Sequence, residues 1–91
     1  MPSVNSIPAP NPSVVGRMVD GEAVLVLPDQ GQVKVLNQVG ARFWSLADGS
    51  RTIAQIAQAI CAEYDVDPAQ AEADALEFFT SLNDKGVVAF S

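Results

Sequence analysis

Eleven carboxylates, five basic side chains, one thiol and no imidazole are what this chain offers for chemistry. Without histidine, no serine or cysteine has its usual base, so nucleophilic catalysis of that kind is excluded. The single cysteine, Cys61, cannot close an internal disulfide. It lies at the margin of an apolar helix face and reads as a small buried hydrophobe. A structural zinc site needs four Cys or His ligands, which the chain lacks. No two acids share an apolar background that would drive their pKa values apart. Asp48 and Asp67 read instead as a turn residue and a helix cap. No catalytic residue, metal or cofactor is therefore expected, and binding is favoured over turnover.

The remaining bulk properties narrow the partner. Net charge is −6, and Arg17, Lys34, Arg42, Arg51 and Lys85 are scattered. Binding to phosphates needs clustered cations, so nucleic acid is disfavoured. The longest aliphatic run, Ala23 to Leu27, is far too short to cross a bilayer. No basic stretch followed by an apolar one marks a signal peptide, which leaves a cytoplasmic location as the expectation. Ninety-one residues suit one small domain with a modest core and a stability of about 5 kcal/mol.

The elements that position any site follow from local signals. Residues 1–12 carry four prolines and no strand or helix period, so they read as a flexible tail before a domain over 13–91. Val14–Val19, Glu22–Leu27 and Gln32–Leu36 are three β-forming runs. Asp20-Gly21 between the first two is a hairpin signal, and Pro28-Asp29-Gln30-Gly31 a second turn. Together they predict an antiparallel meander, stable only if helices cover one face. Asn37 caps a helix over Gln38 to about Ala47, with Val39, Phe43, Leu46 and Ala47 inward and Trp44 on the flank. Thr52 and Gln55 form a capping box for a second helix, Ile53–Tyr64, whose inner face is Ile53, Ile56, Ala57, Ile60 and Tyr64. Asp67-Pro68 starts a third, running to about Lys85, with Ala71, Ala75, Phe78, Phe79 and Leu82 inward. Gln70 repeats the capping-box spacing, and Gly86 stops the helix. Val87–Phe90 is a short closing strand or an apolar tail. The fold class is α+β: a three-stranded antiparallel sheet followed by three helices, like a winged helix-turn-helix.

Several stretches in this order resemble the PqqD-like family, the RiPP recognition elements. They are Val33-Lys34-Val35-Leu36-Asn37, Phe43-Trp44-x-Leu46, Asp48-Gly49-x-Arg51-Thr52 and Glu63-Tyr64-x-Val66. Asp74 with Phe78 and Leu82, then Gly86-Val87, complete the series. No one motif is specific, since each is mainly a cap, a turn or a core stripe; their order and spacing carry the resemblance, over Val14 to Val88. It implies a non-catalytic module that binds the leader segment of a ribosomally made precursor peptide. The leader adds as a strand beside the third strand, in a groove walled by the third helix. The domain then presents it to a modifying enzyme, such as a radical S-adenosylmethionine protein or a leader peptidase, in natural-product or quinone-cofactor synthesis.

The implied site is then Gln32, Val33, Lys34, Val35 and Leu36, together with Asp74, Leu76, Phe78 and Ser81 of the third helix. Edge-strand N–H and C=O groups supply affinity, and side-chain pockets supply specificity. Val33 and Val35 point to one face of the strand and Lys34 and Leu36 to the other. Leu76 lies off the apolar stripe and is expected to be exposed, whereas Asp74, Phe78 and Ser81 form the opposite flank. The sequence leaves open which flank faces the groove. The acids Glu72, Asp74 and Glu77 would attract basic residues of a leader, an effect that salt weakens. Read singly, each of these residues has an ordinary structural use. The rival readings are a DNA-binding winged helix and a structural module that dimerises through the edge strand. For the first, the recognition helix carries one lysine against four acids. A homodimer is compatible with peptide binding.

Overall fold

The computed structural model describes residues 2–27 and 31–91. The chain runs β1 (Pro8–Pro10), β2 (Val15–Val19), β3 (Glu22–Leu27), β4 (Gln32–Leu36), α1 (Gln38–Leu46), α2 (Ile53–Tyr64), α3 (Pro68–Asp84) and β5 (Val88–Phe90). β2, β3 and β4 form an antiparallel sheet in that order, and β1 pairs with β5 in a separate ribbon. The α+β architecture read from the sequence holds, with this ribbon as an addition. The turn expected over 28–31 falls largely on residues 28–30, outside the described residues.

Local chemistry sets the element ends. Asp20 and Gly21 both have positive φ (52° and 83°), the geometry of a tight two-residue hairpin, and Val19 pairs with Glu22 across it. The Asn37 side chain accepts from the Gly40 N–H. The Thr52–Gln55 capping box is formed in both directions. At α3 only half of the expected box exists: Asp67 accepts from the Gln70 N–H, but the Gln70 amide turns to Asp74 (2.8 Å). Past α3, the Val87 N–H reaches the Leu82 carbonyl and the Gly86 N–H reaches that of Asn83. That pair of bonds, with Gly86 at φ 75°, is a Schellman stop.

One face of the larger sheet carries Ala23, Leu25, Leu27 and Leu36 into the core, where they meet Phe43, Leu46, Ile53, Ile56 and Ile60. From α3, Ala71, Ala75, Phe79 and Leu82 close it. The opposite face is a field of valines. Val15, Val26 and Val33 are cross-strand neighbours, as are Val24 and Val35. Val33 and Val35 are 63% and 61% exposed. An Arg42–Glu63 ion pair (2.9 Å) ties α1 to α2 at the surface. Asp48 accepts from the Ser50 hydroxyl (2.6 Å) and backbone, which hold its carboxyl below the usual range.

Further expectations differ from the structure. Val39 is 39% exposed, while Ala41 takes its place in the core; the helix is turned so that Gly40, Ala41 and Phe43 face inward. Tyr64 is 41% exposed because it ends α2, where the chain leaves through Asp65 in a left-handed conformation (φ 52°). Leu76 is half-buried against the core rather than exposed. The segment over 2–12 is tied down rather than free. Ile7 and Ser91 exchange backbone bonds, Asn11 bonds to Val87, and Pro8 is fully buried. The carbonyls of Ser6 and Val4 accept from Ile53 and Ala54, the first two amides of α2. Since residues 7 and 11 aim their N–H groups at the β5 side, positions 8 and 10 aim theirs away. Both are proline and have no N–H to offer.

Candidate functional site

β4 is an outer strand of its sheet. One side pairs with β3, from Ala23 opposite Leu36 to Leu27 opposite Gln32. Among the described residues no strand pairs with its other side. Alongside this edge runs an open groove of about 520 Å³. Lys34, Val35, Leu36 and the cap residue Asn37 form one wall, and Val39, Gly40 and Phe43 of α1 close one end. Asp74, Glu77, Phe78, Ser81 and Leu82 of α3 form the other wall.

The groove therefore meets the flank of α3 that carries Asp74, Phe78 and Ser81, at i, i+4 and i+7. Leu76 is not in its lining, and Gln32 and Val33 lie on β4 outside it. Phe78 is only half-buried: its ring lies 5.3 Å from Phe43 and 5.1 Å from Phe79, so it bridges core and groove. Phe78 thus departs from the purely inward role expected of it. Asp74 is fixed by the Gln70 amide at 2.8 Å.

Lys34 is half-buried on the inner face of β4, opposite the fully buried Leu25. Its ammonium is held below the ordinary lysine range, first by a hydrogen bond with the Lys85 amine, then by partial burial and by repulsion between the two charges.

Sequence reasoning missed the α1 contribution. A signal was present: a glycine in the first turn of a helix costs about 1 kcal/mol relative to alanine, which calls for a reason. The reason is close approach. A methyl on Gly40 would lie 3.3 Å from the Phe78 ring, 3.3 Å from the Asn37 side chain and 3.4 Å from Leu36. Gly40 thereby lets α1 begin against β4 and α3 and shapes the groove floor. Val39, expected in the core, is a groove wall.

Among the described residues no group of three or more His, Cys, Asp or Glu could hold a metal, and no helix is long and apolar enough to cross a membrane. Cys61 is free and half-buried. What the geometry offers is a proline-free backbone edge beside a part-aromatic trough.

A family model described as coenzyme PQQ synthesis protein D (PqqD) matches residues 22–88. A PqqA binding protein of Xanthomonas euvesicatoria pv. vesicatoria (strain 85-10) is 40% identical over 62 residues, which span 68% of this chain and 65% of that protein. The structure of TbiB1 in complex with the TbiA(beta) leader peptide superposes with a TM-score of 0.82 at 35% identity, covering 88% of this chain and 93% of that one. The PqqD truncation of Methylobacterium extorquens PqqCD, a stand-alone RiPP recognition element, gives a TM-score of 0.82 at 31% identity, over 98% and 95% of the two chains.

Proposed function

The chain belongs to the PqqD family, and on that premise we propose that it binds the leader segment of a ribosomally made precursor peptide by strand addition to β4. The observation that carries this reading is the unpaired edge of Gln32–Leu36 lying along a groove that α3 completes. An extended segment laid there gains main-chain hydrogen bonds from β4 and seats alternate side chains over Leu36, Phe43 and Phe78. Relatives named for PqqA binding, and one structure of the same fold holding a leader peptide, support a peptide as the ligand. On this reading the domain is a non-catalytic presenter. Its partner is a modifying enzyme, such as a radical S-adenosylmethionine protein or a leader peptidase, that acts on the peptide held at the edge.

Amide NMR titration of the labelled protein, with the leader of the precursor peptide encoded beside it, tests the proposal. The expected outcome is saturable shifts at Gln32–Leu36 and along Asp74–Ser81. Shifts confined to α1 and α2, away from the groove, would overturn the site.

A further inference from the structure

We propose that the β4 edge selects a peptide strand that is apolar on both of its faces, because Val33 and Val35 form a second recognition surface on the side of the sheet away from the groove. The inference rests on the peptide-binding reading and adds the chemistry of the peptide side chains that point away from the groove.

Register places these valines. Val33 pairs with Val26 and Val35 with Val24, so all four leave the sheet on the face opposite the buried Leu25 and Leu36. Exposure rises toward the open edge. Val26, with Val15 on one side and Val33 on the other, is 40% exposed, and Val24, between Arg17 and Val35, is half-buried. Val33 and Val35 have a strand neighbour on one side alone among the described residues, and they stand at 63% and 61%. The excess measures what a further strand would cover.

Proteins normally blunt such an edge with charged outward side chains or with proline. The outward charges of this sheet lie elsewhere: Arg17 is on β2, the strand at the far side, and Glu22 is at the hairpin end of β3. β4 has valine at both outward positions, so the apolar part of the face adjoins the open edge. A second copy stacked on this face is a poor occupant. Three strands of about five residues cover roughly 250 Å², well below the ~800 Å² that each partner gives to a standard interface.

A strand added to β4 covers the valines as a continuation of the same edge. Its residues opposite Val33 and Val35 lie about 5 Å from them on the outer face. The residues in between turn to the groove, where Leu36 and Phe78 are. Apolar, β-branched side chains at the outward positions extend the cross-strand rows Val15–Val26–Val33 and Val24–Val35. An edge whose outer face is solvated selects alternating apolar and polar residues. This edge, apolar on both faces, selects a continuous apolar run.

The probe is a displayed library of random twelve-residue peptides, sorted against the wild-type protein. Ligands that shift the β4 amides are kept, and proton–proton contacts by NMR fix their register. Val, Ile and aromatic residues are expected opposite Val33 and Val35 as often as over the groove. The best ligand is then remade with Thr at those two positions, which keeps shape and strand propensity. The Thr form should bind the wild type roughly fourfold more weakly. In the Val33→Thr/Val35→Thr double variant that difference should fall below about twofold. Ligands of β4 with no apolar preference at the outward positions, or equal affinity of the two forms for the wild type, overturn the second surface and leave strand addition standing. A library yielding no ligand of the β4 edge overturns both. Sedimentation of the free protein as a dimer that the double variant separates overturns the proposal too, and gives the valines to a second copy. Should the double variant fail to fold, Val35→Thr alone, with the peptide residue opposite it changed, decides the question.

Discussion

The β1–β5 ribbon and the β4 side of the larger sheet finish their backbone hydrogen bonding in different ways. In the ribbon, prolines occupy the outward donor positions 8 and 10, and the Pro8 carbonyl is taken by the Gly49 N–H (3.2 Å). On the other strand, opposite Pro10, the Val88 carbonyl accepts from the Asn83 side chain at 3.0 Å. Much of the ribbon's outward backbone is thus removed or satisfied. β4 has no proline, carries two valines more than half exposed, and borders a groove instead of a covering element. An open edge of this kind is normally an aggregation hazard that proteins suppress. The same chain closes one edge and leaves another open beside the groove, which is the pattern expected where one edge serves stability and the other recognition.

The comparison breaks most visibly if the ribbon is removed. Deleting residues 1–12 should cost about 3 kcal/mol of unfolding free energy, from several lost hydrogen bonds and newly exposed apolar surface. Denaturant melts measure that loss, and at low temperature the leader affinity of the folded fraction should not change. A large loss of affinity would mean that the ribbon also serves recognition. Phe78→Ala tests the opposite side: about 2 kcal/mol of stability should go, less than for a fully buried phenylalanine, because the ring is half-exposed. Leader affinity, read by calorimetry, should fall more than tenfold.

Val35→Thr sharpens the contrast at a smaller scale. Stability should stay within about 0.5 kcal/mol, as for most exposed positions. Affinity should drop about twofold, from one weakened cross-strand pair. The smallest effect concerns pH. The folded protein lowers the Lys34 pKa below its ordinary 10.5, so the unfolded chain binds more protons as pH rises towards that value. Stability attributable to Lys34 is therefore reduced at neutral pH and recovers as the solution becomes alkaline. Comparing thermal melts of wild type and Lys34→Met between pH 8 and 10.5 should show a shallow upward slope present only in the wild type.

What the sequence made legible was local. Asn37, Thr52 and Asp67 announce three helix starts because a cap is a bond between near neighbours, and Asp20-Gly21 announces a hairpin for the same reason. The β1–β5 pairing was hidden, because Pro8 and Phe90 lie at opposite ends of the chain and prolines depress every local strand signal. At the site, β4 and the flank Asp74–Phe78–Ser81 could be proposed, but a helical wheel fixes which residues share a face and not how the helix is rotated. Hence Leu76 stood beside Phe78 as an alternative until α3 was seen packed. Val39 failed for a related reason: an apolar residue that lines a trough has the same pattern as one in the core.

The strapping of α2 by the N-terminal segment has a kinetic consequence. With Ser6 and Val4 on the amides of Ile53 and Ala54, and Thr52 serving Gln55 and Ile56, the first turn of this helix has no donor left to solvent. Contacts that join chain ends form late, because loop closure must come first, and they open early. Deuterium uptake at Ile53 and Ala54 therefore keeps time for the release of the strap, separately from Gln55 and Ile56, whose protection is carried within the helix's own cap.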